Sequence, residues 1–171
     1  MKKLLVMLVL AIGIIIACSN NEYIEIPYSS IRMRVIANSN SKEDIKNKII
    51  VKSMLKEVFK EMTKGKTNYK EVEDAIINNE DFLETKIKST LKENEIHETF
   101  SINYGENYFP EKTFKGLTYK AGNYKSYVVT LGEGKGDNYW CVLFPPICLV
   151  DENVSNYDYH FLIKDIISKY N

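Results

Sequence analysis

The spacing of apolar residues predicts a strand followed by a long helix. Residues 30–41 alternate, with Ile31 and Val35 on one side and basic residues on the other, as in a strand with one buried face. From about 42 to 62, apolar side chains recur every three or four positions, which is typical of an amphipathic helix. Ser41, followed by an acidic first turn, is a suitable start for that helix.

Shorter periodic segments follow the long helix. Apolar residues four positions apart predict two charged surface helices, which are marked by Val72, Ile76, Leu83, Ile87 and Leu91. From Ile96 the period changes to two, which predicts strands, including a weak one at 112–119 and a stronger one at 124–131. Residues 139–144 are apolar on both faces, which favours a central strand.

The chain is expected to end in an amphipathic helix that docks on the sheet through Leu162, Ile163 and Ile166. The predicted order is thus β-α-α-α-β-β-β-β-α. This order predicts an α+β fold, a single domain with helices packed on a mainly antiparallel sheet.

The first 17 residues have the form of an export signal. Lys2 and Lys3 precede an apolar run, residues 4–17, and polar residues follow. As a helix the run would cover about 21 Å, short of the roughly 30 Å hydrocarbon core of a bilayer. We therefore expect a cleaved signal, with a membrane anchor as the alternative. Cys18 follows a small residue as in a bacterial lipobox, so it is a candidate for lipidation.

We divide the chain into a signal or anchor (1–17), a tether (18–30) and a folded domain (31–171). Cleavage before Cys18 would remove two lysines and leave 21 basic against 23 acidic residues, a net charge of −2. A near-neutral domain argues against nucleic acid as a partner and against electrostatic attachment to a membrane.

Two further cysteines, Cys141 and Cys148, bracket Pro145 and Pro146. In an exported domain this pair predicts a disulfide, worth about 2.5 kcal/mol on the chain-entropy estimate. A zinc site and a redox dithiol are the competing interpretations. The spacing of six residues matches neither a zinc knuckle nor the C-x-x-C of catalytic dithiols.

The residues give little sign of catalysis. The only histidines, His97 and His160, lie in no metal-ligand or nucleophile motif, and no phosphate-binding loop pattern occurs. The glycine-rich segment 132–138 is expected to be a hairpin loop. We expect no cofactor and no metal.

Surface recognition is the remaining chemistry. Arg32 and Arg34 are the only arginines, and arginine suits pairing with carboxylates. Solvent-facing arginines on an edge strand are the alternative. Trp140 lies in the strand at 139–144, which is expected to be core. The loop tip, 145–147, is expected to be exposed and available to a partner.

Two blocks carry a resemblance to a known family. "IRMRVIANSNSKEDIKNKIIVKSMLKEVF" (31–59) and "YKAGNYKSYVVTLGEGKGDNYWCVLFPPICLVD" (119–151) resemble stage II sporulation protein R of endospore-forming Firmicutes. The chain departs from the family pattern at Asn40, where an acid is usual, and at Tyr139, where a tryptophan is usual.

The resemblance implies a secreted signal in the space between forespore and mother cell, possessing no protease activity of its own. Its expected partner is the extracytoplasmic face of a membrane-embedded aspartic protease, which processes the precursor of mother-cell sigma factor E. The candidate contact residues are Arg32, Arg34, Asn38, Trp140, Pro145 and Pro146. An exported cell-envelope hydrolase and a passive structural lipoprotein are the alternative functions.

Overall fold

The computed structural model describes residues 26–114, 117–149 and 156–170. The predicted signal (1–17) and Cys18 lie outside these residues. The described elements, in chain order, are β1 (Ile31–Ile36), α1 (Lys42–Thr63), α2 (Tyr69–Ile77), α3 (Glu80–Glu93), β2 (Phe100–Phe109), β3 (Lys112–Phe114), β4 (Leu117–Tyr119), β5 (Gly122–Leu131), β6 (Asn138–Phe144) and α4 (Asn156–Tyr170). The α+β prediction is confirmed.

Four strands form the main sheet, in the order β2-β5-β1-β6. The β2–β5 and β1–β6 pairs are antiparallel, whereas β1 and β5 are parallel. A separate two-stranded sheet joins β3 to β4. The single weak strand predicted at 112–119 is therefore wrong, because this segment supplies two short strands.

One face of the main sheet is buried under α1, α2 and α3. Alternate residues of β1 point into this core, as do the apolar stripes of the three helices. Ser41 caps α1, since its side-chain oxygen accepts a 3.0 Å hydrogen bond from the backbone N–H of Asp44. The first core contains Ile31, Met33, Val35, Val51, Leu55, Phe59, Val72, Ile76, Leu83 and Ile87.

A second core includes α4 and a β6 side chain that points to the other face of the sheet from the first core. Successive side chains of a strand point to opposite faces, and Val142 accordingly belongs to the second core while Leu143 belongs to the first. Ile163 docks α4 as predicted, and Ile166, which is half-buried, packs against the same core, also as predicted. Leu162 is half-buried. Also in this core are Ile26, Ile147, Tyr159 and Ile167.

One alternative and one predicted strand position are wrong. Strand β1 lies inside the sheet, between β5 and β6, so its arginines are not on an edge strand. Strand β6 is the edge strand that we had expected to be central. Its two faces are apolar because both cores pack against it, rather than because it has a strand on either side.

The connection from β5 to β6, residues 132–137, crosses the end of β1 and is not the predicted hairpin loop. It lies against the segment that leaves β1, where Gly136 N–H donates to the carbonyl of Ala37 at 2.9 Å. A Cβ on Gly136 would overlap the backbone oxygen of Ser39. Glycine at this position therefore permits the close crossing of two backbones.

Candidate functional site

Both arginines lie on the sheet face opposite α1, among aromatic side chains from three other strands. Arg34 on β1 stands opposite Trp140 on β6 in the antiparallel register. Phe109 from β2 and Tyr124 from β5 reach the same face, and the Phe109 ring packs edge-to-face on Trp140 with centroids 4.8 Å apart. We call this set of residues, Arg32, Arg34, Phe109, Tyr124 and Trp140, the arginine–aromatic face.

Arg32 is deeply buried, with 3% of its surface exposed. Its guanidinium carbon lies 3.3 Å from the ring centroid of Tyr124 and 5.2 Å from that of Phe109. The Nε–H donates to the Ser30 hydroxyl at 3.3 Å, but Nη2 has no hydrogen-bond partner among the described residues. Burial lowers the pKa of Arg32 from its usual value. The guanidinium nevertheless stays charged, because arginine is not deprotonated in proteins.

Arg34 lies on the same face and is only partly buried. Its guanidinium carbon is 5.1 Å from the Trp140 ring centroid and 5.5 Å from that of Phe109. The Nε of Arg34 is buried and has no hydrogen-bond partner in the part of the chain that the structure describes. Burial lowers the pKa of this side chain too. Both cations therefore contact aromatic faces, which attract them electrostatically.

A cleft of about 390 Å³ opens beside Arg32. The sheet supplies Trp140 and Val142 to its lining, the β3–β4 hairpin supplies Phe114 and Tyr119, and α4 supplies Tyr159. The hydroxyls of Tyr119 and Tyr159 lie 3.4 Å apart. Burial and the contact with Tyr159 raise the pKa of Tyr119, so this phenol stays neutral at physiological pH.

The disulfide loop forms part of the cleft wall. Cys141 and Cys148 are bonded, with their Cα atoms 5.5 Å apart, and both line the cleft. The predicted exposure of the loop tip is wrong: Pro145 is buried, Pro146 is half-buried and Ile147 is 1% exposed. The apolar side chain of Ile147 packs into the second core and draws the tip inward.

Asn38 lies away from the cleft, where it holds the β5–β6 connection. Its side-chain oxygen accepts from the Glu133 N–H at 2.9 Å, and its amide donates to Asp44 at 3.1 Å. Asn40 continues the contact, accepting from the Asp137 N–H at 2.7 Å. These hydrogen bonds give both asparagines a structural role, and binding of a partner by Asn38 stays a prediction.

The described residues show no assembled catalytic group around histidine. His97 is exposed and precedes β2, and the side chain of His160 lies outside what the structure describes. Within ranges 26–114, 117–149 and 156–170, no cluster of three or more acidic, histidine or cysteine residues could hold a metal ion. Over the same ranges, no helix has the length and apolar character needed to cross a membrane.

Sequence reasoning identified Arg32, Arg34 and Trp140 but missed Phe109 and Tyr124. A signal for the second face was present in β5, where Tyr124, Ser126 and Val128 alternate with the apolar residues of the first core. All three are buried. Apolar residues at both parities indicate a strand covered on both faces.

Comparisons with known proteins agree on one family. The family model for stage II sporulation protein R matches residues 27–154. Stage II sporulation protein R of Bacillus subtilis (strain 168) is 32% identical over 133 residues, which are 78% of this chain and 59% of that protein. The chain thus matches less than two thirds of the relative's length. No solved structure gives a significant match.

Proposed function

This chain belongs to the stage II sporulation protein R family and so has a role in sporulation, and from that premise we propose that it is an exported activator of a protease. The protease is a membrane-embedded aspartic protease, which then processes the precursor of mother-cell sigma factor E. The chain acts from the space between the forespore and mother-cell membranes. It supplies a binding surface and does not cut the precursor itself.

The observation that carries this proposal is the arginine–aromatic face with its adjoining cleft. Tryptophan, tyrosine and arginine dominate the binding energy of protein interfaces, particularly where they line a well-packed pocket. Here Trp140 and Arg34 are partly exposed beside the cleft, on a rigid sheet. The Cys141–Cys148 bond holds the wall next to them. Such a preorganised surface loses little conformational entropy when a partner binds.

Activation follows if the chain binds the active arrangement of the protease more tightly than the inactive one. A ligand shifts a two-state equilibrium only by its differential affinity. A change from 1:99 to 99:1 requires about a 10⁴-fold preference for the active state. A moderate-sized interface centred on the cleft is sufficient for such a preference when a few of its contacts form only in the active state.

The test is reconstitution in a heterologous cell that expresses this chain with its export signal, the protease and the sigma precursor. Immunoblotting for the shortened sigma factor measures activation. We expect Arg34→Ala and the two serine variants, Cys141→Ser and Cys148→Ser, to reduce cleavage. Lys60→Ala, an exposed change on α1 at the far side of the sheet, should leave it unchanged.

Wild-type chain that yields no cleavage while both other proteins are present contradicts the proposed function. Full cleavage by all three site variants would instead remove these residues from the mechanism.

Export and lipidation are part of the same proposal, and one measurement tests both. Intact mass of the protein collected from sporulating cells, before and after reduction, reports the cleavage site, acylation of Cys18 and the state of the other two cysteines. We propose a product that has lost residues 1–17 and contains one disulfide. Full-length chain with three free thiols, found in the cytosol, contradicts export.

A further inference from the structure

The two arginines have no carboxylate partner within the described ranges. Ion pairs there are made by lysines, such as Lys70 with Asp74 and Lys88 with Glu84, both at 2.6 Å. Arg32 instead rests on aromatic rings and keeps Nη2 without a hydrogen bond, although it is 97% buried. A buried charge that lacks a paired carboxylate opposes folding, because its lost hydration is only partly replaced.

The cleft beside Arg32 has the chemistry to receive the missing partner. Among the residues that the structure describes, its lining has two cations, Arg32 and Lys112, and includes no aspartate or glutamate. The other lining residues are mostly aromatic or apolar, among them Trp140, Phe109 and Phe114. An anionic group flanked by an apolar side chain therefore complements this cleft in both charge and shape.

A protein segment fits these features better than a lipid surface does. Recognition of anionic headgroups uses clusters of about four to eight basic residues. Here one guanidinium and one ammonium line an aromatic cleft, and the chain without residues 1–17 has a net charge of −2. A planar carboxylate, in contrast, matches the guanidinium in geometry and forms charge-assisted hydrogen bonds with it.

We propose that the cleft binds an aspartate or glutamate side chain on an extended segment of the partner, with the carboxylate bonded to the guanidinium of Arg32, which lines the cleft. An apolar neighbour of that acid packs on Trp140 and Phe109, and Arg34 attracts the segment at the rim. The identity of the partner rests on the proposed function above. The chemistry of the contact rests on the cleft alone.

The chain's two arginines give a direct readout. Labelling with ¹⁵N-arginine produces two Nε–H signals, one for each residue. The probes are overlapping peptides that cover the extracytoplasmic segments of the protease, each compared with a copy in which Asp and Glu are replaced by Asn and Gln. The protein is the exported chain, purified in detergent with its disulfide intact. We expect one acidic peptide to shift both signals and its amide copy to leave them unmoved.

Variants assign the contact. Arg32→Met should weaken binding of the acidic peptide about thirtyfold or more, as expected for losing one member of a buried charge pair. Lys60→Met removes an exposed charge on the other side of the sheet and should leave the affinity unchanged. Arg32→Met keeps one arginine signal, that of Arg34. Finding this signal at its wild-type position shows that the variant is folded.

The outcomes separate this inference from the proposed function. If wild-type chain triggers precursor cleavage but no peptide moves the Arg32 signal, the inference is wrong and the proposed function stands. Equal binding of acidic peptide and amide copy, or signals moved only by phosphatidylglycerol vesicles, also overturns it. Absence of cleavage by the wild-type chain contradicts the proposed function, whatever the peptides do.

Discussion

Replacing Arg32 by methionine should separate stability from activity. Methionine keeps an unbranched stem to pack against Tyr124 and Phe109 but removes the charge. If Arg32 serves binding, its loss should abolish activation of the protease and leave the fold nearly as stable. If Arg32 serves the fold, stability should fall with activity.

The magnitude follows from the contacts of the guanidinium. Burying an ion costs several kcal/mol after relaxation. Against this, a desolvated cation–π contact such as that with Tyr124 contributes about 2 kcal/mol. The hydrogen bond to Ser30 is long, at 3.3 Å, and falls near the low end of the 1.5–3 kcal/mol that is typical of bonds to charged groups. These contributions nearly cancel, so we expect Arg32→Met to change the free energy of unfolding by about 1 kcal/mol or less.

Urea denaturation, followed by the fluorescence of the single tryptophan, Trp140, measures this change. Phe59→Ala is the positive control, because Phe59 is fully buried against Tyr127 and its truncation should cost about 3–5 kcal/mol. A loss above about 3 kcal/mol for Arg32→Met, the usual cost of breaking a satisfied buried ion pair, would show that Arg32 serves the fold.

Three further predictions concern the scaffold. Gly136→Ala should destabilise the fold by about 1–3 kcal/mol, because the added Cβ meets a backbone oxygen. Gly105→Ala should cost less than about 1 kcal/mol, because a Cβ has room at that position. Equal melting temperatures of the two variants would contradict this prediction. Asp44 accepts hydrogen bonds from the β1–α1 connection that hold its pKa below the usual value. The contribution of Asp44 to stability should therefore be lost as the pH falls through that lowered pKa. The urea midpoints of wild type and Asp44→Asn should differ above pH 5 and converge in acid. Reduction of Cys141–Cys148 should lower the free energy of unfolding by about 2.5 kcal/mol, and an unchanged urea midpoint would contradict a structural bridge.

Local patterns in the sequence predicted much of the fold. The alternation in β1 and the stripe of α1 identify these elements because each depends on one segment meeting one core. Strand order depends on contacts between distant segments. The apolar residues on both faces of β6 predicted a central strand, but the second core under α4 buries Val142 just as effectively at an edge.

The site was predictable in part for the same reason. Arg32 and Arg34 share a face by alternation, and Trp140 was singled out as the only tryptophan of the chain. Their contact depends on the β1–β6 register, which no local pattern specifies. Phe109 and Tyr124 come close only because β2 and β5 pair along ten residues. The inward turn of Pro145 and Ile147 likewise depends on a core that forms only when α4 docks.

The most direct test of the central claim, that this chain activates the protease through its arginine–aromatic face, is site-specific photo-crosslinking in sporulating cells. A photoreactive amino acid replaces Trp140 in one strain and Lys60, on the far side of the sheet, in another. We expect a crosslink to the membrane-embedded protease from position 140 and none from position 60. Crosslinks from position 60 alone, or none to the protease from position 140 while sigma-factor processing continues, would contradict it.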